Sequence, residues 1–152
     1  MILWLGYGRI EDSYILSLIY AGAEIRDNRN IMILGIDTTE REKIYLTIFG
    51  EKGEKCFEFD TKDQSKELLL IIDSVLKKEK KTLQNLRAIL VNQGPGSFTG
   101  VRVGITCANA LAWSLDIPVF GYQRGQEKLV LNKISKHKKN SFSQIALPYY
   151  PF

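Results

Sequence analysis

Residues 87–104 read RAILVNQGPGSFTGVRVG and combine three structural signals. Arg87–Asn92 is a short apolar run, which is typical of a strand buried on both faces. Gly94–Gly100 interrupts the chain with proline, glycines and small hydroxyl residues, which favour a tight turn. A helix is predicted from Thr99 to Leu115, with Ser97 or Thr99 as its N-cap. The stretch therefore predicts a strand, a turn and a helix in direct succession.

The residues on both sides extend this unit into a mixed sheet. Upstream, β-forming residues predict strands at Met32–Thr38, Lys43–Phe49 and Glu54–Asp60, joined as an antiparallel meander. A helix is predicted at Asp63–Lys78, and Ile117–Phe120 is the last inner strand. The order βββαβαβ predicts an α/β fold in which parallel strands and crossover helices extend the meander. This is the ribonuclease H-like layout.

The composition is that of a globular protein with a single domain. The chain has 152 residues, of which 45% are hydrophobic and 25% charged, and this excludes disorder, collagen and coiled coil. The formal net charge is +4. The whole excess lies in residues 122–152, which carry six basic residues and one acidic residue. An acidic partner such as nucleic acid would bind this tail; the alternative is that its lysines only solvate a surface.

The first 31 residues form a separate segment. They contain an apolar run at residues 14–23, which is shorter than the roughly 20 residues that span a bilayer and follows acidic residues. We expect no membrane span and no export. Cys56 and Cys107 fit no metal or disulfide spacing, which indicates reduced thiols in a cytoplasmic protein. Two interpretations of the segment stand: an added helix that docks on the domain, or an upstream stretch included by a mis-assigned start before Met32.

Both predicted helices are more apolar than one sheet face requires. An apolar band of about 100° covers a sheet, yet the first helix spreads its Ile, Leu and Val side chains over about 160°. Arg102 is the only charge between Thr99 and Leu115. Deep burial within one domain is one explanation; burial against a partner, which exposed apolar surfaces of this size usually indicate, is the other. The predicted interface residues are Leu69, Leu70, Ile72, Leu76, Val103, Gly104, Ala108, Ala112 and Trp113.

The loop Gly94–Gly100 precedes a helix N-terminus, where backbone N–H groups and the helix dipole can hold an anion. It lacks the lysine of a GxxxxGK phosphate loop. The alternative is structural, a tight turn with a helix cap. Asp37, at the end of the first strand, either bonds loop backbone or marks a vestigial phosphate loop. The residues of this candidate anion or vestigial phosphate site are Asp37, Thr38, Thr39, Gly94, Gly96, Ser97 and Thr99.

Four motifs are specific in combination: IDTT at residues 36–39, SKELL at 65–69, GPGSFTGVRVG at 94–104 and IPVFG at 117–121. Together they resemble the bacterial TsaB (YeaZ) family, and the resemblance covers residues 32–121. It implies a ribonuclease H-like lobe of the actin-like ATPase (ASKHA) superfamily. It also implies a non-catalytic partner of TsaD, the enzyme that places a threonylcarbamoyl group on the tRNA adenosine beside the anticodon. TsaE, an ATPase, joins the same complex.

The sequence departs from this family in its length, and it lacks the metal ligands of the family's catalytic relative. The catalytic relative binds a metal through paired histidines on its first helix, whereas the only histidine here is His137. We therefore predict no metal or cofactor in the isolated chain, with ATP and metal held only by partner subunits. Family members also carry a second lobe. Residues 122–152 are interpreted as its remnant, with a helix at Gln126–Ile134, a basic turn at Lys136–Asn140 and a closing strand at Gln144–Tyr150.

The function that the resemblance implies is a scaffold for a TsaD-type transferase. A second copy of this chain is an alternative partner for the apolar helices. Two alternative functions are a degenerate ATPase lobe acting alone and a tRNA-binding accessory module that uses Lys133, Lys136, Lys138 and Lys139. For the scaffold, we expect Ala108→Arg or Ala112→Arg to abolish the complex while leaving the monomer folded.

Overall fold

The computed structural model describes residues 32–50, 52–136, 142 and 144–151, so the segment 1–31 lies outside it. Within the described residues, the elements follow the predicted order. The strands are β1 (Met32–Asp37), β2 (Lys43–Gly50), β3 (Gly53–Asp60), β4 (Leu86–Asn92) and β5 (Val119–Tyr122). The helices are α1 (Gln64–Lys78), α2 (Phe98–Leu115) and α3 (Glu127–Lys136), and a short 3-10 turn occupies Leu83–Asn85.

The strands form one mixed sheet in the order β3-β2-β1-β4-β5. β1 and β3 both pair with β2 in antiparallel orientation, and Ile36 of β1 lies opposite Leu46. β4 pairs with β1 and β5 in parallel orientation, and Ile36 lies opposite Val91 on that side. α1 and α2 provide the crossovers between the parallel strands. The predicted ribonuclease H-like α/β fold, a mixed sheet with crossover helices, is confirmed.

Burial along the strands shows where the core lies. The apolar side chains of β1 and β4 are buried on both faces, because helices cover both sides of the sheet centre. β2 alternates, with Ile44, Leu46 and Ile48 buried and the residues between them partly exposed. α1 and α2 cover the larger core, whereas α3 packs Leu131 and Ile134 into a smaller core on the opposite face.

Side chains cap the N-termini of both crossover helices. Asp63 accepts a hydrogen bond of 3.2 Å from the backbone N–H of Lys66 at the start of α1. Ser97 accepts one of 3.3 Å from the backbone N–H of Gly100 at the start of α2. Of the two caps predicted for the second helix, Ser97 rather than Thr99 is therefore the one that forms.

The end of the chain differs from its prediction. The helix predicted at Gln126–Ile134 is present as α3, but the closing strand predicted at Gln144–Tyr150 is wrong. Residues 144–150 join no ladder of the described sheet. The basic turn predicted at Lys136–Asn140 lies outside the described residues after Lys136, which ends α3. None of the helices in the described part has the length and apolar character to cross a bilayer.

Candidate functional site

Four of the predicted interface residues lie at or near the surface formed by α1 and α2. Leu69 is 56% exposed, Leu70 69% and Trp113 72%. Val103 is partly buried and lines a groove between the two helices. The two helices therefore present an apolar surface where one was predicted, and its cover by a partner stays a prediction.

The prediction is wrong for the other five interface residues, because these residues are buried in the chain's own core. They are Ile72, Leu76, Gly104, Ala108 and Ala112. The small residues let α2 approach the sheet closely. The backbone that comes close to them is therefore that of the same chain and not that of a partner. A Cβ atom on Gly104 would overlap the hydroxyl oxygen of Thr38, which follows β1. The small residues spaced by four pack α2 against its own sheet, so a partner helix cannot reach them.

A groove of about 760 Å³ lies between α1 and α2. Its lining is mostly apolar, with hydroxyl groups and one charged side chain. The lining residues are Ser65, Leu68, Leu69, Phe98, Thr99, Arg102, Val103, Thr106, Cys107, Ala110, Leu111 and Ser114. Sequence reasoning missed Phe98, which is 56% exposed, because the helix was predicted to begin one residue later, at Thr99. It also missed Cys107, and it placed Ala110 outside the inward stripe of the helix without counting it among the interface residues.

Arg102 is held at the edge of this groove by two aromatic side chains. Its guanidinium carbon lies 3.8 Å from the ring centroid of Phe98, a cation–π contact. Its Nε donates a hydrogen bond of 3.1 Å to the hydroxyl of Tyr150. The rings of Phe98 and Tyr150 stack with centroids 5.4 Å apart. Among the described residues, these two rings and this hydroxyl hold the cation, and no carboxylate takes part.

Cys107 brings a thiol to the groove. Burial raises its pKa to about 11, so the thiol is protonated at neutral pH. Cys56, on β3, also has its pKa raised by burial, and its sulfur lies 3.3 Å from the hydroxyl of Thr47. Both cysteines are free thiols, in agreement with the sequence prediction.

Asp37 is the centre of a hydrogen-bond network where β1 and β4 end. Its Oδ1 accepts from the backbone N–H of Thr39 (2.9 Å) and from the hydroxyl of Thr39 (2.7 Å). Its Oδ2 accepts from Nδ2 of Asn92 (2.8 Å), and Oδ1 of Asn92 accepts from the backbone N–H of Gly94 (3.0 Å). Asp37 thus joins the end of β1 to the loop after β4. This geometry favours the structural interpretation, in which Asp37 bonds loop backbone.

The loop after β4 packs directly on the residues that follow β1. The backbone N–H of Ser97 donates to the carbonyl of Thr39 (2.6 Å), and the buried hydroxyl of Thr38 donates to the carbonyl of Gly100 (2.6 Å). A Cβ atom at Gly100 would overlap the carbonyl oxygen of Thr38. Only glycine therefore permits this approach of the two segments.

The structure brings together the loop residues that were predicted as a site, with one exception. Gly96 lies against the carbonyl of Thr39, and Gly94 has a φ of 100°, which glycine adopts without strain. Thr99 instead lines the groove. The hydroxyls of Thr38 and Thr39 and the backbone N–H groups of Thr39, Gly94 and Ser97 bond the chain's own oxygens. Anion binding there stays a prediction.

Residues 144–150, called the strap below, run along α2 in the opposite direction. The side-chain amide of Asn109 makes two hydrogen bonds with the backbone of Ala146, one to its carbonyl (2.9 Å) and one from its N–H (2.8 Å). The N–H of Tyr149 donates to the carbonyl of Gln93 (2.8 Å). Ala146 is the strap residue that enters the core. The side chain of Asn109 on α2 thus makes the two backbone hydrogen bonds with Ala146 that a neighbouring strand would make in a sheet.

The predicted tRNA contacts lie mostly beyond the described side chains. Lys133 is exposed on α3. The side chain of Lys136 and the whole of Lys138 and Lys139 lie outside the described residues, as does His137. In the described ranges, no three His, Cys, Asp or Glu side chains cluster as metal ligands would.

Several named proteins are similar in sequence or structure to about 60% of this chain. The "tRNA threonylcarbamoyladenosine biosynthesis protein TsaB" of Haemophilus influenzae is 38% identical over 92 residues, which are 60% of this chain and 39% of that protein. TsaB of Escherichia coli is 34% identical over 90 residues, 59% of this chain and 38% of that protein. The solved structure of YeaZ from Pseudomonas aeruginosa matches 60% of this chain and 44% of its own with a TM-score of 0.57 at 27% identity.

The sequence model of one family, TsaD, tRNA N6-adenosine threonylcarbamoyltransferase, matches residues 58–139, more than half of the chain. The chain belongs to this family. The resemblance to TsaB proteins that the motifs predicted is confirmed, and with it the ribonuclease H-like lobe of actin-like ATPases. The chain matches about two fifths of the length of three of the curated TsaB proteins.

Proposed function

We propose that the chain is a non-catalytic subunit in the formation of threonylcarbamoyladenosine on tRNA, where it scaffolds a TsaD-type transferase. Its TsaB relatives are named for this biosynthesis. Transferases are related as well: the tRNA N6-adenosine threonylcarbamoyltransferase of Neorickettsia sennetsu is 36% identical over 106 residues. In this proposal ATP and metal are held by partner subunits, which include a TsaE-type ATPase, and the complex acts in the cytoplasm.

The observation that carries the proposal is the exposed apolar groove between α1 and α2. Leu69 and Phe98, which line it, each expose more than half of their surface. Monomeric proteins rarely expose contiguous apolar patches beyond a few hundred Å². Burying one such side chain completely is worth roughly 1.5–3 kcal/mol. A partner that covers the groove therefore gains enough apolar burial to form a stable complex.

The strand ends support a scaffolding role over catalysis. A carboxylate that acts on a substrate or a metal needs free lone pairs, whereas three of the roughly four acceptor sites of Asp37 already take hydrogen bonds from Thr39 and Asn92. The loop beyond them is held closed by the bonds between Ser97 and Thr39 and between Thr38 and Gly100. These contacts use the polar groups of the candidate anion site to hold the lobe together.

The experiment mixes the full chain with the TsaD-type subunit of the same cell and measures complex mass by light scattering after size exclusion. We expect a stable heterodimer with the wild-type chain. Leu69→Arg, in the groove, should abolish it. Leu129→Arg is the matched control, because Leu129 is 63% exposed on α3, on the opposite face of the sheet, and should leave the complex intact. Two separate peaks with the wild-type chain would contradict the proposal.

A second candidate function is tRNA binding by the basic tail, because the whole net charge lies in residues 122–152. Arg124, Lys128 and Lys133 are exposed there. If the tail binds tRNA, the logarithm of the affinity falls linearly with the logarithm of the salt concentration. Binding should also be lost when Lys136, Lys138 and Lys139 are changed to Gln. Retention of tRNA affinity by that triple variant would exclude this candidate.

A further inference from the structure

The strap is held to the rest of the lobe by hydrogen bonds at two separate places. The first is Asn109 on α2, whose side-chain amide makes both of the hydrogen bonds with the backbone of Ala146. The second is Gln93, which follows β4. Its side chain donates to the carbonyl of Leu147 (2.7 Å), and its own carbonyl accepts from the N–H of Tyr149 (2.8 Å). The strap therefore links the middle of α2 to the segment after β4.

The loop at residues 93–98 contacts the strap at both of its ends. Near its start, a Cβ atom on Gly94 would lie 3.0 Å from the carbonyl oxygen of Tyr149, so the strap backbone packs directly against this glycine. At its end, the rings of Phe98 and Tyr150 stack with centroids 5.4 Å apart. The loop also bonds the residues that follow β1. It is therefore held between the end of β1 and the strap.

The strap buries little apolar surface where it docks. Its side chains alternate: Ala146 is 5% exposed, whereas Ile145, Leu147 and Tyr149 are 57%, 60% and 42% exposed. Segments with few buried apolar contacts open locally at a lower free energy than the core. β4, in contrast, is buried along its whole length. The strap should therefore leave the lobe far more often than the sheet unfolds.

Detachment costs the polar partners of the strap little, but it removes part of the support of the loop. Asn109 and Gln93 are partly exposed even with the strap in place, so water can replace their hydrogen bonds to it. Phe98, which ends the loop, is already 56% exposed and would lose the ring that stacks on it. The loop and the strap should therefore loosen together.

We propose that the strap is a clasp: it detaches from the lobe as a unit while the sheet stays folded, and its docking keeps the loop at residues 93–98 in order. The clasp couples two segments that are distant in sequence, since Gln93 and Leu147 are 54 residues apart. Such coupling is reciprocal, so whatever fixes the loop also fixes the strap. The inference goes beyond the proposed function, because it requires no partner.

Hydrogen exchange of the full chain, measured by NMR, tests the clasp. In the wild-type chain, the amides of Ala146 and Tyr149 should exchange at least about 100-fold faster than those of β4. Asn109→Ala removes both bonds to Ala146 and should speed the exchange of the strap amides about tenfold. Within the described part of the chain, the Asn109 side chain bonds Ala146 alone. The amides of Gly94 and Ser97 should nevertheless speed up by a comparable factor, because the loop opens with the strap.

Ser114→Ala is the matched control for Asn109→Ala. It also removes a side-chain hydrogen bond from α2, but this bond goes to the carbonyl of Leu111 in the same helix. The control should leave the exchange of the strap and of the loop unchanged.

Three outcomes would overturn the clasp. If Asn109→Ala speeds only the strap amides, the strap and the loop open separately. If the strap amides of the wild-type chain exchange as slowly as those of β4, or if the variant speeds the β4 amides by the same factor, the strap unfolds with the core. If Asn109→Ala leaves the strap amides unchanged, Asn109 does not hold the strap in place.

Discussion

Asn92 donates a hydrogen bond of 2.8 Å from its Nδ2 to Oδ2 of Asp37, across the ends of two parallel strands. Each residue also accepts a hydrogen bond from a backbone N–H group: Asp37 from that of Thr39, and Asn92 from that of Gly94. Only one of the two side chains needs to be an amide, because one amide N–H and three acceptor oxygens complete the network. The arrangement is therefore symmetric with respect to which strand carries the charge.

Exchanging the two residues should restore what each single change removes. Asp37→Asn places two amide groups face to face, and Asn92→Asp places two carboxylates face to face, so each should cost about 1–3 kcal/mol of unfolding free energy. The double variant Asp37→Asn/Asn92→Asp recovers the donor–acceptor pattern. Urea unfolding of the four proteins measures the coupling. A double variant no more stable than the worse single one would contradict the network.

Gly104 and Thr38 are a second pair of residues whose substitutions should compensate each other. Gly104→Ala should destabilise the fold by about 1–3 kcal/mol, because its methyl group overlaps the Thr38 hydroxyl. Thr38→Ala removes that oxygen, so Gly104→Ala should cost little in the Thr38→Ala background. Gly100→Ala is the matched control: its obstacle is the carbonyl oxygen of Thr38, which no side-chain change removes. Thermal unfolding should show rescue at position 104 and none at position 100.

Neighbouring alanines on α2 should respond in opposite ways to arginine. Ala108 is fully buried, so Ala108→Arg should prevent folding, and the same holds for Ala112→Arg. This replaces the expectation from sequence that the monomer survives these changes. Ala110 is exposed in the groove, so Ala110→Arg should leave the circular dichroism spectrum unchanged and abolish partner binding. A folded Ala108→Arg chain would show that α2 does not lie on the sheet as described.

The thiol of Cys107 should react slowly and respond steeply to pH. Its raised pKa of about 11 leaves about one thiolate in a thousand at pH 8, compared with about one in ten for a pKa of 9. Because thiolate is the reactive form, the rate of maleimide labelling in a Cys56→Ser background should rise about tenfold per pH unit from pH 7 to 10. A rate that levels off near pH 9 would show that burial does not perturb this thiol.

The same shift makes the stability of the fold fall at alkaline pH. The folded chain keeps the Cys107 proton up to about pH 11, whereas the unfolded chain loses it near pH 9. The unfolded state therefore binds fewer protons between these values, and its free energy falls relative to the folded state as pH rises. Cys107→Ser should flatten this decline in a urea series at pH 8.5 to 10.5.

The sequence predicted the sheet and both crossover helices because these depend on local patterns. A short apolar run predicts a buried strand such as β4. The helical period also placed Leu70 correctly outside the inward band of α1. Periodicity cannot say what an apolar face meets, since the chain's own sheet and a partner are equally apolar. Ala108 and Ala112 were assigned to a partner for this reason, and they lie in the core.

The strap could not be predicted for a related reason. Ile145, Leu147 and Tyr149 have the composition of a strand, and composition does not choose between pairing with a sheet edge and lying along a helix. The choice depends on Asn109, whose side-chain amide bonds the backbone of Ala146 as a neighbouring strand would. The Arg102 cluster was missed likewise, because Tyr150 is 48 residues away in sequence.

The parallel pairing of β1 with β4 has a consequence for the chain during its synthesis. β1 can pair with β2 as soon as the meander has emerged, but the strand for its other edge is encoded roughly 50 residues later. At a translation rate of about 5–20 residues per second, that edge stays open for about 2–10 s. An unpaired strand that is apolar on both faces is a template for neighbouring nascent chains. A nascent chain from which β1 has emerged and β4 has not would therefore expose an open, apolar sheet edge.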